Sequence, residues 1–284
     1  MHPIEWLRAV ARSGDVPQTQ LATEAAGALA AMADEPHGLL PACRRLIDRN
    51  PSAGALWWTC ARLLTAADTH AEASAVQRDL DSDQVGLSLA LDLPDGATVA
   101  AIGWSDVVGE TAARRGDVRL LVVAEETPPR RPGRRGPGGG AFGGGGGGGR
   151  SVWDVDFDSF DAPDDDDDAV VIVPPQGLGT AVAHSDLLLV DCWAIGGSQL
   201  VAAPGSLAAA ATAARTGTPV WLTVSVGRRL PEPLFKALSD KVFGGDGEPW
   251  DAGADLLDRD LVGTVVEPIE IPCPLPPELL HRSR

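Results

Sequence analysis

From residue 97 onward the sequence contains short, nearly continuous apolar runs that are rich in β-branched residues. Strands with one wet face alternate apolar and polar residues, so uninterrupted runs are typical of parallel strands covered on both faces. Helical patterns at 105–116 and 206–217 each end at a glycine, where a helix C-cap is expected. The alternation predicts an α/β fold with a doubly wound, mainly parallel, Rossmann-like sheet. The predicted strands are ATVAAIG (97–103), VRLLVVAEE (118–126), AVVIVPP (169–175), DLLLVDC (186–192), PVWLTV (219–224) and LVGTVVEPIEI (261–271).

Residues 4–80 show helical rather than strand periodicity. The segments LATEAAGALAAMA (21–33), GLLPACRRLID (38–48) and ALWWTCARLLTAA (55–67) each place apolar residues on one face. We therefore expect a helical bundle over residues 1–90 and the Rossmann-like domain over 97–284. Trp57 and Trp58 are adjacent and must face different directions, so one of them is expected to contact another domain or subunit.

The crossover between the second and third predicted strands is long and of low complexity. Seven glycines at 143–149 and five aspartates at 164–168 predict a disordered Gly/Asp-rich insertion at 127–168. Within it, SVWDVDFDSF (151–160) is amphipathic and is expected to lie on an uncovered sheet face. Aspartates alternate there as in a calcium loop, but the glycine required at the sixth position is missing, so no metal site is predicted.

Composition limits the functional classes. The net charge of −17 opposes binding to nucleic acid and to anionic membranes. No apolar run is long enough to cross a bilayer, and the start MHPIEWLRAV lacks the pattern of a signal peptide. The four cysteines form no CxxC pair and have no His at ligand spacing, which predicts a cytoplasmic protein without zinc or disulfides. GLGT (177–180) is only a fragment of a dinucleotide fingerprint, so a tight turn is favoured and no cofactor is expected.

In open α/β sheets, ligands bind beyond the carboxyl ends of the strands, where backbone N–H groups and helix N-termini favour anions. Glycines and serines follow several predicted strands here. Gly205 and Ser206, at the start of a helix, would cradle a phosphate; the alternative is that Ser206 simply caps the helix. The candidate ligand-binding residues are Gly103, Ser105, Gly196, Gly197, Gly205 and Ser206.

The stretch DLLLVDCWAIGGSQLVAAPGSLAAAATAARTGTPVWL (186–222) resembles the family of the regulatory α, β and δ subunits of translation initiation factor 2B. Methylthioribose-1-phosphate isomerase and ribose-1,5-bisphosphate isomerase belong to the same family. NPSAGALWWTCARLL, AAIGWSDVV and LPPELL resemble further family segments in the same order. The resemblance implies a phosphorylated ligand and homodimerisation through the C-terminal domain. High alanine, glycine and arginine usage fits a bacterial source, so the nucleotide exchange of the eukaryotic subunits is not carried across.

The sequence departs from the family at the residues that the isomerases use for proton transfer. The catalytic cysteine of the family falls on Gly103 and the catalytic aspartate on Cys192, with Asp191 one position early. The Asn-Lys pair of the family falls on Ala202-Ala203. We therefore predict a non-catalytic binding or regulatory module that keeps a sugar-phosphate or nucleotide pocket.

Two alternatives remain. One is a divergent sugar-phosphate isomerase that uses Asp191 or Cys192 as its acid/base group. Burial of Cys192 among Leu188, Val190 and Ile195 would identify it as a small core residue and weigh against this reading. The other is a scaffold that acts through residues 127–168.

Overall fold

A computed structural model of the protein describes residues 17–32, 38–124, 169–245, 247–268 and 271–280. Six parallel strands follow the order β3-β2-β1-β4-β6-β8, so the α/β prediction is confirmed. The chain winds outward from β1 in one direction and from β4 in the other, which places the reversal of strand order between these two neighbours. The strands are β1 (Thr98–Ile102), β2 (Arg119–Val123), β3 (Val170–Val173), β4 (Leu187–Ile195), β5 (Gln199–Ala202), β6 (Val220–Thr223), β7 (Asp255–Asp258) and β8 (Thr264–Val266).

An antiparallel extension, which the sequence reasoning did not foresee, begins in the second half of β4. Up to Asp191, β4 pairs in parallel with β6; from Cys192 onward it pairs antiparallel with β5, which in turn pairs with β7. The register shifts between Cys192 and Ala194, as at a β-bulge. Such bulges bend the strand and re-aim its side chains, and here the bulge separates the two modes of pairing.

Helices cover both faces of the parallel sheet. The cluster on one face contains residues of α5 and α6, and the cluster on the other contains residues of α7 and α8. Gly217 caps the end of α8 in the left-handed conformation, as expected, whereas the C-cap residue of α6 is Arg115 rather than Gly116. The helices are α1 (Gln18–Ala30), α2 (Leu39–Arg49), α3 (Gly54–Thr65), α4 (Thr69–Asp81), α5 (Val85–Asp92), α6 (Asp106–Arg114), α7 (Leu178–Ala183), α8 (Ser206–Thr216) and α9 (Glu232–Phe243).

Helix α3 lies at the centre of the N-terminal helices and is buried on nearly every side. A helix that is apolar all round belongs in a core, and α3 contacts α1, α2 and α4 as well as β4 and α9. Trp58 is fully buried and lies against Gly227 in the loop after β6. Trp57 is also buried and donates a hydrogen bond from its indole nitrogen to the Pro51 carbonyl. The helices and the sheet therefore share one apolar cluster.

The predicted insertion at 127–168, with its amphipathic segment, lies outside the described residues. Within the part of the chain that is described, no helix is both long and apolar enough to cross a bilayer.

Candidate functional site

The carboxyl ends of β1 and β4 meet where the strand order reverses, which is where open α/β sheets bind their ligands. Three charged side chains come together there. Asp191 is near the end of the parallel part of β4, Arg228 lies in the loop after β6, and Asp106 opens α6 just after β1. We call these three residues the switch-point cluster.

Asp191 and Arg228 form a buried ion pair. Nη1 of Arg228 donates to Oδ1 of Asp191 at 2.7 Å and also to the Cys192 carbonyl, and the two side chains are 6% and 9% exposed. The hydroxyl of Thr223 donates to the same Asp191 oxygen at 3.0 Å from the neighbouring strand. Burial by itself would lower the pKa of Arg228, but the nearby carboxylates, Asp191 above all, outweigh it and raise that pKa. Both charges are therefore held in one arrangement by the fold.

The guanidinium of Arg228 is only partly used. Both of its hydrogen bonds come from Nη1, and among the described residues no acceptor lies within bonding distance of the buried Nε. Guanidinium offers five N–H donors in a fixed planar fork, and a buried donor without an acceptor is costly. The edge of Arg228 away from Asp191 therefore has donor capacity that the described residues do not fill.

Asp106 lies at the exposed start of α6, near enough to this pair to interact with both charges. Burial raises the pKa of Asp106, the Arg228 charge opposes that effect, and the charges of Asp191 and Glu110 add to it. Ser105, one of the predicted ligand-binding residues, caps α6, since its hydroxyl accepts from the Val108 N–H at 3.3 Å. Carboxyl groups with divergent environments are typical of functional sites.

Cys192 does not face this cluster. It is fully buried in the apolar cluster that contains Leu188, Val190 and Ile195, which is the arrangement that weighs against a catalytic role. Burial raises the pKa of the Cys192 thiol far above its usual value. A thiol is a nucleophile or base only as the thiolate, so Cys192 is chemically inert where it lies.

The start of α8 is already occupied by a carboxylate from the same chain. Asp255 of β7 accepts hydrogen bonds from the backbone N–H groups of Gly205 and Leu207, each at 2.9 Å. Gly205 is the N-cap residue and adopts a positive φ of 93°, while Ser206 is the first helical residue, is buried and makes no capping hydrogen bond. The position predicted for an anion thus holds Asp255, and a phosphate would have to displace it.

The remaining glycine candidates lie apart or play structural roles. Gly103 follows β1 with a positive φ of 72° and donates from its N–H to the Val123 carbonyl. Gly196 and Gly197 form the turn between β4 and β5, where the Gly197 N–H donates to Glu232 of α9 at 2.7 Å. The structure therefore brings Asp191 and the Ser105–Asp106 turn together and leaves the Gly196–Gly197 turn outside the cluster.

A small cavity lies beyond β6 and β8. Its volume is about 20 Å³, room for about one water molecule, and it is lined by residues 224–227, Arg229, Glu267, Pro268 and Ile271. The ion pair of Arg229 with Glu267 lies on its wall. Among the described residues, no group of three or more His, Cys, Asp or Glu side chains is placed to hold a metal ion.

Sequence reasoning missed three of the residues that shape the site. Arg228 lies five residues after the end of β6 in the segment TVSVGRRLP, and an arginine in the loop that follows a predicted strand is a signal that the sequence contains. Asp106 directly follows Ser105, and a carboxylate at the first helical position reads as an ordinary helix start. Asp255 reaches α8 across 50 residues of sequence, so no local pattern could reveal it.

Neither a protein-family model nor a curated protein sequence matches the chain. Solved structures do match its fold. The translation initiation factor eIF-2B of Pyrococcus horikoshii OT3 is 12% identical with a TM-score of 0.59 over 80% of this chain and 79% of that one. The tetrameric eIF2B-beta2-delta2 complex of C. thermophilum is 16% identical with a TM-score of 0.62 over 93% and 88%. The 5-methylthioribose 1-phosphate isomerase of P. horikoshii is 14% identical with a TM-score of 0.57 over 93% and 82%.

The fold is that of the initiation factor 2B subunits and of methylthioribose-1-phosphate isomerase. These are proteins of the family that the sequence resembles, so the fold implied by the resemblance is confirmed. This fold occurs both in initiation factor 2B subunits and in an isomerase, so the fold alone does not decide between binding and catalysis. That decision depends on the groups in the switch-point cluster.

Proposed function

We propose that the protein is a non-catalytic binding or regulatory module built on the initiation factor 2B fold. The observation that carries the proposal is the state of the two candidate acid/base residues. Asp191 is tied to Arg228 and Thr223 with 9% of its side chain exposed, and Cys192 is buried among apolar residues. Isomerisation by proton transfer requires an acid/base group that reaches the substrate. A carboxylate held by two partners and a thiol in the apolar core do not meet this requirement.

One further observation supports the proposal. The start of α8, which would hold the phosphate of a sugar phosphate, is bound by Asp255. A sugar phosphate or nucleotide would therefore bind there only after Asp255 moves away.

The expected partners follow from charge and from the structural neighbours. A neighbour with this fold forms a tetrameric complex of β and δ subunits, which supports a proposal that this chain forms a homodimer through its C-terminal domain. The net charge of −17 supports a role without nucleic acid or anionic membrane surfaces as partners, and the four scattered cysteines support a cytoplasmic location.

One observation favours a second candidate, a divergent sugar-phosphate isomerase. Asp106 and Asp191 are two carboxyl groups close enough to interact, and the pKa of Asp106 is raised by burial and by the Asp191 charge. A pair of this kind can divide the roles of acid and base. In this reading Asp106, rather than Cys192, is the partner of Asp191.

Incubation of the purified protein with methylthioribose-1-phosphate and ribose-1,5-bisphosphate, followed by product detection, separates the two candidates. The module predicts no product above a protein-free control. Product formation that is lost in Asp106→Asn and retained in Asp92→Asn, a substitution of an exposed aspartate at the end of α5, would establish the isomerase instead.

A further inference from the structure

Strand β3 forms one end of the parallel sheet and has an unpaired edge. Among the described strands it pairs only with β2, in parallel. On that side, β2 donates hydrogen bonds to the carbonyls of Ala169 and Val173, at 2.6 and 3.0 Å. Because backbone groups alternate in direction along a strand, the N–H and C=O groups of Val170 and Ile172 point away from β2. The described residues provide no partner strand for these outward groups.

The side chains of β3 make this edge apolar and leave it accessible. All four residues of the strand, Val170–Val173, are β-branched and aliphatic, and each is half-buried. Val170 and Ile172 pack partly against the apolar cluster that contains residues of α5 and α6. Val171 and Val173 point to the opposite face, because side chains alternate along a strand. A further strand at this edge would therefore extend both apolar faces of the sheet.

Apart from being short, β3 lacks the devices by which proteins usually protect a sheet edge. Protected edges carry a charged side chain, a proline or a bulge, and none of the four β3 residues provides one. Pro174 follows the strand; it has no N–H, and its carbonyl already accepts from the Gly177 N–H at 2.8 Å. The usable edge therefore has a defined end, which suits one short added strand.

Charge defines the kind of partner. Five aspartates at 164–168 directly precede Ala169 in the sequence, so a strongly negative stretch adjoins the amino end of β3. The net charge of −17 disfavours pairing between two copies of the chain. A basic end on the added strand would meet opposite charge. Antiparallel pairing is slightly more stable per residue than parallel pairing, and it places the carboxyl end of the partner strand beside the aspartates.

We propose that the open edge of β3 binds an extended segment of a partner protein by strand addition. The partner segment is a short aliphatic strand that runs antiparallel to β3 and continues into lysines or arginines at its carboxyl end. Its backbone hydrogen-bonds to the outward groups of Val170 and Ile172, and its side chains cover the half-buried faces of β3. Since β1 and β2 lie between β3 and β4, this surface is separate from Asp191 and the switch-point cluster. The inference therefore goes beyond the proposed function.

Fluorescence anisotropy of a labelled peptide, GTVIVTKKK, tests the proposal on the full-length protein. We expect saturable binding with a dissociation constant on the order of 100 µM or tighter. Two analogues carry backbone N-methyl groups on alternate residues of the TVIVT core. The analogue whose methyl groups face β3 should bind at least about tenfold more weakly, and the other should bind like the parent peptide. All three peptides have the same charge, so a difference reports strand pairing rather than general attraction to an acidic protein.

Two further peptides test the direction and the charge of the added strand. The reversed sequence KKKTVIVTG places its lysines at the other end, and a third version has glutamates in place of the lysines. We expect both to bind at least about tenfold more weakly than the parent peptide, since each loses the attraction between its carboxyl end and the aspartates that precede Ala169.

Ile172→Pro provides the arm on the protein. It removes an outward N–H and keeps the pairing with β2, because proline is tolerated where the N–H of an edge strand faces solvent. Ile172→Val keeps the N–H and is the matched control. We expect Ile172→Pro to weaken peptide binding at least about tenfold and Ile172→Val to leave it unchanged, with urea unfolding to check that both variants are folded. If Ile172→Pro does not fold, the N-methylated peptides decide the question alone.

The inference is overturned if the parent peptide does not bind, if both N-methylated analogues bind as well as the parent, or if folded Ile172→Pro binds it normally. Binding that requires prior deletion of residues 151–160, or prior dissociation of a dimer, also overturns it, because this chain or a second copy would then occupy the edge. Each of these results leaves the non-catalytic module standing, since that proposal depends on Asp191 and Cys192.

Discussion

Replacement of Asp191 by asparagine tests whether the fold or a reaction uses this carboxylate. The substitution keeps the shape of the side chain and an oxygen that can accept from Thr223, but it removes the charge that pairs with Arg228. Because both side chains are more than nine-tenths buried, Arg228 would be left as an unpaired charge in a poorly solvated position. Breaking such a pair by removal of one partner costs about 3–5 kcal/mol, which is a large part of the roughly 5–15 kcal/mol that stabilises a typical domain.

Urea unfolding followed by circular dichroism measures this loss as a lower midpoint at unchanged slope. Asp240→Asn is the matched control: the Lys236–Asp240 pair is 72% and 50% exposed, so its loss is expected to cost less than about 1 kcal/mol. The double variant Asp191→Leu with Arg228→Met should recover part of the stability, since it leaves no buried charge behind. If Asp191→Asn lowered the free energy of unfolding no more than the control does, the Asp191–Arg228 pair would not be important for stability. Asp191 would then again be a candidate catalytic group.

Three further outcomes follow from the structure. Asp255→Ala removes the carboxylate that caps α8 and should lower the free energy of unfolding in urea by about 1 kcal/mol. Phosphate added to this variant should restore part of that stability by binding at the vacated helix start. If it restored none, the start of α8 would not be a usable anion site. Gly227→Ala should lower the free energy of unfolding by about 2–5 kcal/mol, since φ is 78° and the new Cβ would lie 2.9 Å from a ring atom of Trp58. Gly96→Ala is the control, because Gly96 has a similar φ of 68° but open space around it, and it should cost only about 1–2 kcal/mol. Equal costs would contradict the contact with Trp58. The folded state raises the pKa of Asp106, so ionisation of this carboxyl destabilises the fold as pH rises through the pKa that it has in the unfolded chain. Asp106→Asn should therefore stabilise the protein near neutral pH and have no such effect at a pH below the usual pKa range of aspartate. A stability difference that does not change with pH would contradict the environment assigned to Asp106.

The parallel strands could be predicted because uninterrupted apolar runs have few alternatives in a chain that also shows regular helical segments. The antiparallel extension could not. In DLLLVDCWAIGG the apolar run continues past Asp191 without any break that would signal a change of partner, and the bulge at Cys192 depends on pairing with β5. Helix α9 was missed because EPLFKALSDKVF follows a proline-rich turn and its buried face is narrow, limited to Leu234, Phe235 and Leu238.

The strand ends that meet at the switch point could be predicted from the sequence, but the contacts made there could not. The sequence places Ser105 and Asp191 at strand ends that meet, which strand order alone decides. It does not reveal that Arg228 turns back onto Asp191, because that contact joins strand β4 to the loop after β6, and the two residues are 37 positions apart. The alternation of a strand separates Asp191 from Cys192, and the structure places Asp191 in the cluster and Cys192 in the core.

Hydrogen–deuterium exchange on a sugar phosphate in D₂O, followed by proton NMR, tests most directly whether the switch-point cluster transfers protons. An aldose–ketose isomerase that removes a proton from carbon and exchanges it with solvent replaces substrate hydrogen with deuterium even when little product accumulates. We expect methylthioribose-1-phosphate and ribose-1,5-bisphosphate to keep their carbon-bound hydrogens in the presence of the protein, because Asp191 is held by Arg228 and Cys192 is buried. If deuterium were incorporated by the wild-type protein and not by a folded Asp191→Asn variant, the cluster would perform proton transfer. That result would contradict the proposal of a non-catalytic module.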